Sequence, residues 1–150
     1  MSIFVGTPIF AYQVDDLAKT ADTTLEDTDL VIPIAANERM HGYVRALVTL
    51  AGTASGAKFQ LTVPAGGIVF ENQYIITNGG TGAVAAADTQ LASAAFSNAL
   101  ANADTHALLM HFEIENGATA GNVALQFAQL VSDAGAATFL LGATMMVWKF

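Results

Sequence analysis

The chain is 150 residues long, enough for one domain around one hydrophobic core, since a domain of that size buries roughly 70% of its unfolded surface. Its 13 acids against 5 bases give a net charge of −8, which would repel a phosphate backbone and argues against nucleic acid as a direct partner. Charged residues make up only 12%, about half the roughly 25% of an ordinary soluble domain, so something other than water is expected to cover part of the surface.

Residues 1 to 40 hold seven acids and two bases, whereas the remaining 110 positions carry six acids and three bases. The first fourteen residues nevertheless contain Ile3, Phe4, Val5, Ile9, Phe10, Tyr12 and Val14. A segment with that many large apolar side chains should dock, either as a first strand of the core or as an arm, residues 1–18, that reaches a neighbour. A short strand is predicted around Leu30 to Ile34. From Met40 to Leu50, Met40, Gly42, Val44, Ala46, Val48 and Leu50 alternate with His41, Tyr43, Arg45, Leu47 and Thr49, the period of two of a half-buried strand. Ala57 to Val63 alternates in the same way and stops at Pro64-Ala65-Gly66-Gly67; Ile68 to Thr77 follows and ends at Asn78-Gly79-Gly80. The alanine-rich stretch Ala83 to Ala103 allows a strand around Gln90 to Ser97 or a short helix. His106 to Glu115 sets Leu108, Met110, Phe112 and Ile114 against Leu109, His111, Glu113 and Glu115, and Val123, Leu125 and Phe127 continue the theme. Ala137 to Phe150 is apolar on both faces, as for a central strand or one covered by a partner. About eight antiparallel strands separated by glycine-rich turns predict an all-β fold, a single β-sandwich of jelly-roll type over residues 19–150.

Zero cysteines exclude disulfides, thiolate nucleophiles and cysteine-ligated metals. The start lacks a basic segment and is broken by Gly6 and Pro8, which makes a poor signal peptide. The stretch from Ala134 to Trp148 is shorter than the ~18 residues of a spanning helix, so no membrane partner is expected. None of Ser2, Ser55, Ser93, Ser97 and Ser132 lies in a nucleophile-elbow motif, and Gly79-Gly80-Thr81-Gly82 lacks the lysine of a phosphate loop. The best candidate for chemistry is His111-x-Glu113-x-Glu115, which strand spacing puts on one face, with His41 as a fourth metal ligand; a metal-dependent hydrolase would be built there. The plainer reading makes these residues the outward side of an ordinary strand, with no metal, no cofactor and no catalytic residue. His106, five positions from His111, must point the other way. Most of the nine Phe sit at core positions, which does not indicate a sugar-stacking platform.

Several stretches resemble a known group. These are Lys19-Thr20-Ala21-Asp22-Thr23-Thr24-Leu25, Asp29 to Glu38, Thr62-Val63-Pro64-Ala65-Gly66, and Asn116 to Gln129 followed by Ser132-Asp133. The pattern looks like the small β-rich virion structural proteins of tailed bacteriophages, and covers roughly residues 19 to 66 and 105 to 148. The resemblance implies a role without catalysis: a capsid decoration (cement) protein, often trimeric, or a domain of a head or tail fibre that binds a receptor. It implies a homotrimer bound to the major capsid protein of the same phage, on the outer surface of the virion, after synthesis in the host cytoplasm. Within it, Asn37-Glu38 reads as a turn, Pro64 to Gly66 as a strand end and Gly117 to Gly121 as a hairpin loop. Ile3, Phe4, Val5, Ile9, Phe10 and Tyr12 are the residues expected to contact the capsid or another subunit.

Overall fold

The computed structural model describes residues 6–52, 56–77, 84–90, 96–98 and 104–150. These form twelve strands and, among the described residues, no helix: β1 (Ile9–Tyr12), β2 (Leu17–Lys19), β3 (Glu26–Ile34), β4 (Arg39–Leu50), β5 (Ala57–Thr62), β6 (Ile68–Thr77), β7 (Val84–Gln90), β8 (Phe96–Asn98), β9 (Thr105–Glu115), β10 (Gly121–Gln129), β11 (Ala137–Phe139) and β12 (Thr144–Lys149). All pairings are antiparallel, and the strands make two sheets, as expected for a β-sandwich. The larger sheet has the order β1-β12-β4-β9-β6-β7, with β11 also on β4 and β2 on β11; the smaller has the order β3-β10-β5-β8. Counted from β3 as one to β10 as eight, the sheets read 1-8-3-6 and 2-7-4-5.

Four strands lie outside that set of eight. β1 and β2 come from the acidic N-terminal segment, and β11 and β12 divide what reads in sequence as one element from Ala137 to Phe150. The division has a local cause. The twelve-residue β4 offers one edge to both, β12 against Met40–Arg45 and β11 against Val48–Leu50. Between them the chain turns at Gly142, whose φ of +81° is a left-handed value that a side chain rarely tolerates. In the alanine-rich stretch the described residues form β7 and β8 rather than a helix, while residues 91–95 lie outside the described set.

The core fills the space between the sheets. Leu30, Ile32 and Ile34 of β3, Phe59 and Leu61 of β5, and Val123, Leu125 and Phe127 of β10 face Met40, Val44 and Val48 of β4, Leu108, Met110, Phe112 and Ile114 of β9, and Met145 and Val147 of β12. Alternation of burial is strict along β4 and β9, so every second side chain of the larger sheet points away from the core. The connection from β9 to β10 is not the hairpin loop expected from sequence. It passes from one sheet to the other, because Asn116 donates from Nδ2 to the carbonyls of Ala35 (2.7 Å) and Thr119 (2.8 Å), and Gly117 lies directly against the backbone of Gly66.

One corner is held by polar groups. Gln129 is fully buried; its Oε1 accepts from the backbone of Asp22 (3.1 Å) and Asp133 (3.3 Å), and its Nε2 donates to the carbonyls of Gly135 (2.7 Å) and Asp133 (3.2 Å). Beside it the Lys19 side chain, 8% exposed, reaches Asp22 at 3.1 Å and also Glu26. Burial opposes the Lys19 charge, but hydrogen bonds to the two carboxylates and their charges outweigh it, and the ammonium pKa rises. The Asp22 carboxyl is drawn down to about 2, first by the Thr24 backbone N–H and then by Lys19. A folded pKa below the unfolded value stabilises fully above roughly pH 4, and that contribution is lost as pH falls through about 2. Urea unfolding followed between about pH 5 and pH 2 is therefore expected to show a steeper acid loss in the natural chain than in Asp22→Asn; parallel curves would remove the ion pair from the account.

Candidate functional site

The outward side of the larger sheet is where the unusual residues gather. Cross-strand partners share a face, and the register lines up Phe10, Met146, Tyr43 and His111 in one row across β1, β12, β4 and β9. The next rows are Trp148, His41 and Glu113 on one side, and Tyr12, Thr144, Arg45 and Leu109 on the other. The rings touch. His41 stacks on Trp148 at 5.0 Å and lies 6.0 Å from Phe150; Tyr43 meets Trp148 edge-on at 6.1 Å and His111 at 4.9 Å; Phe10 stacks on Tyr12 at 6.0 Å. Much of this apolar surface is open: Tyr43 is 46% exposed, Leu47 48%, Leu109 45% and Tyr12 54%.

The outward side of the smaller sheet has the opposite character. Lys58, Gln60 and Thr62 of β5, Asn122 and Gln126 of β10, and Asp27 and Asp29 of β3 occupy it, and Gln126 donates to Asp27 at 2.7 Å. The two faces thus differ in apolar content rather than in charge: Arg39, Arg45, Glu113 and Glu115 stand among rings and leucines on the larger sheet, and Lys58, Asp27 and Asp29 among amides and hydroxyls on the smaller.

The residues of the metal reading do share the face predicted for them, but they do not converge. Glu115 is engaged by Arg39, His111 packs on Tyr43, and His41, opposite Glu113, is stacked on Trp148. Among the described residues no group of three or more His, Asp or Glu side chains comes together as metal ligands would. His106 is buried, on the opposite side of β9 from His111, as the spacing requires.

The N-terminal apolar residues are partly placed. Ile9, Phe10 and Tyr12 belong to β1, which pairs with β12 of the same chain. Ile9 lies on the core side, opposite Val147, while Phe10 and Tyr12 look outward. The end of β1 is fastened to β3: the Gln13 Oε1 accepts from the Asp29 backbone at 2.9 Å, and the Asp29 carboxylate accepts from the Val14 backbone at 3.0 Å. Ile3, Phe4 and Val5, with Ser2, Ser55, Ser93 and Gly79 to Gly82, lie outside the described residues.

Sequence reasoning did not single out Tyr43, Trp148, Phe150, Leu47, Leu109 or Arg45. The available signal was large side chains at outward positions of alternating strands. What brings them together is register, which composition does not contain. His41 and Trp148 cover one another's faces, whereas Tyr43 meets its neighbours tilted or edge-on and stays about half exposed.

No family model and no curated protein matches the chain. Among solved structures it is similar to the VP2 subviral particle of infectious bursal disease virus (7% identity, TM-score 0.28, covering 97% of this chain and 37% of that one). It is also similar to the T13 viral particle of the same virus (7% identity, TM-score 0.25, covering 96% of this chain and 39% of that one). These weak neighbours are viral capsid proteins, and the chain spans little more than a third of their length.

Proposed function

We propose that this protein is a non-enzymatic virion structural protein, a trimeric decoration protein on the outer capsid of a tailed bacteriophage. The observation that carries the reading is the outward face of the larger sheet: rows of Phe, Tyr, Trp, His and Leu, several of them about half exposed, with aromatic and arginine content typical of the centre of a protein–protein contact. The strand orders 1-8-3-6 and 2-7-4-5 support it as well, since they follow the connectivity of an eight-stranded jelly roll, an architecture used by viral capsid domains among others. The mechanism is mechanical. A subunit that buries apolar area against two neighbouring capsomers makes shell expansion expose that area, at about 25 cal/mol per Å².

Purified protein mixed with bare shells of the phage that encodes it, and imaged by electron cryomicroscopy, is expected to show added density at regular capsomer positions. A chain that leaves the shells bare would overturn the assignment. Retention on cells or glycans without shell binding would point instead to a fibre-tip or receptor-binding domain.

A further inference from the structure

Arg45 stands apart from the other four bases. Lys19 is paired with Asp22 and Glu26, Arg39 with Glu115, and Lys149 with Glu38 at 3.2 Å, while Lys58 donates to the Thr23 carbonyl at 2.6 Å. Among the described residues the Arg45 side chain has no hydrogen bond and no ion pair. It is exposed on the outward face of the larger sheet, between Thr144 and Leu109 in its row, and with Leu47 and Leu141 it lines a shallow hollow. Its setting of a tyrosine and leucines is that of an interface anchor, because apolar neighbours exclude water and strengthen a guanidinium–carboxylate pair.

The carboxylates it lacks are elsewhere on the same chain. Asp15, Asp16, Asp27 and Asp29 have no cationic partner among the described residues; Asp16, Asp27 and Asp29 accept only from neutral donors, Leu141, Gln126 and Val14. They lie on β3 and on the segment that follows β1, and Asp29 joins the two, so they form one acidic rim along that side of the sandwich. Asp16 holds the Leu141 backbone at the border of the Arg45 hollow without pairing with the arginine, and Asp27 and Asp29 face outward from the smaller sheet, so rim and arginine form no ion pair within one subunit.

Resting on the self-associating reading above, we infer that the Arg45 face of one copy receives the acidic rim of a second copy, head to tail. A contact between two different patches is heterologous, and it closes into a ring when the rotation it imposes divides a full turn. A trimer is such a ring. Guanidinium–carboxylate pairs set the register, and Tyr12, Leu47 and Leu109 supply the apolar area around them.

The test uses the full chain and analytical ultracentrifugation, with circular dichroism to verify folding. The natural protein is expected to sediment as a trimer, and Arg45→Glu, an exposed substitution, as a folded monomer with trimer dissociation raised at least about a hundredfold. Arg45→Gln should fall between them. Adding Asp15→Lys and Asp27→Lys to Arg45→Glu reverses both halves of the contact and should restore the trimer. A natural chain that is monomeric, an Arg45→Glu chain that remains trimeric, or a charge-reversed chain that stays monomeric would each overturn the inference. Shell decoration by a monomeric natural chain would overturn only the head-to-tail contact and leave the capsid role standing. An Arg45→Glu trimer that no longer decorates shells would assign the face to the capsid protein.

Discussion

A chain carrying valine in place of Gly42 is expected to lose about 3 kcal/mol of stability or more, and to unfold at a clearly lower urea concentration than the natural protein. Gly42 lies in the middle of β4, on the core side, between Phe112 of β9 and Val147 of β12. A Cβ there would fall 2.6 Å from Phe112 Cζ, 2.7 Å from Val147 Cγ1 and 2.8 Å from the Met146 carbonyl oxygen. Side chains can rotate away from such a contact, but a backbone carbonyl in a paired strand cannot without breaking its ladder. Phe112 is fully buried and has nowhere to go. Alanine at 42 already creates these contacts, and valine adds two methyl groups. Pairing Gly42→Ala with Phe112→Leu, which shortens the opposing side chain, should recover part of the loss. A Gly42→Val unfolding free energy within about 0.5 kcal/mol of the natural protein's would show that Phe112 does not occupy the missing side chain's volume.

Phe127→Ala should be at least as damaging, at about 3–5 kcal/mol, because it removes a large ring from a site closed on all sides. Phe127 of β10 is fully buried, with its ring centre 5.5 Å from that of Phe59 on β5 and 5.7 Å from that of Phe139 on β11. Phe59 and Phe127 come from the smaller sheet and Phe139 from the larger, so the trio joins the two layers. Truncation leaves a cavity that paired strands cannot collapse around, and the cost follows its volume. Denaturant unfolding measures it; a change under about 1 kcal/mol would mean that the sheets close over the gap.

Most of the sandwich is legible in the sequence wherever one face of a strand is buried and the other is not. Ile68–Thr77 is found as read, Met40–Leu50 and His106–Glu115 each gain one residue, and Ala57–Val63 loses one. Where the alternation fades, so does the reading. Ala137 to Phe150 carries apolar side chains on both faces, and nothing in that pattern marks Gly142 as a left-handed turn until β4 is seen to serve two strands. The glycines of the β9–β10 connection mark a turn but do not say whether it returns to the same sheet. For the outward face, His111, Glu113 and Glu115 were visible because they are neighbours in sequence. Tyr43 and Trp148 were not, because only pairing through β4 and β12 brings them together.

The placement of β12 governs the order in which the protein can assemble during synthesis. β12 lies between β1 and β4, so Ile9–Tyr12 has no strand to pair with until Thr144–Lys149 has left the ribosome. Every strand from β2 to β11 is translated while that slot in the sheet stands empty, and closing so long a span carries an entropic cost that local pairing does not. In the interval both borders of the slot offer open backbone groups and apolar side chains to any other nascent chain. The longer that interval lasts, the more it favours exchange of β12 between chains, and a short interval favours insertion of β12 into the molecule that made it.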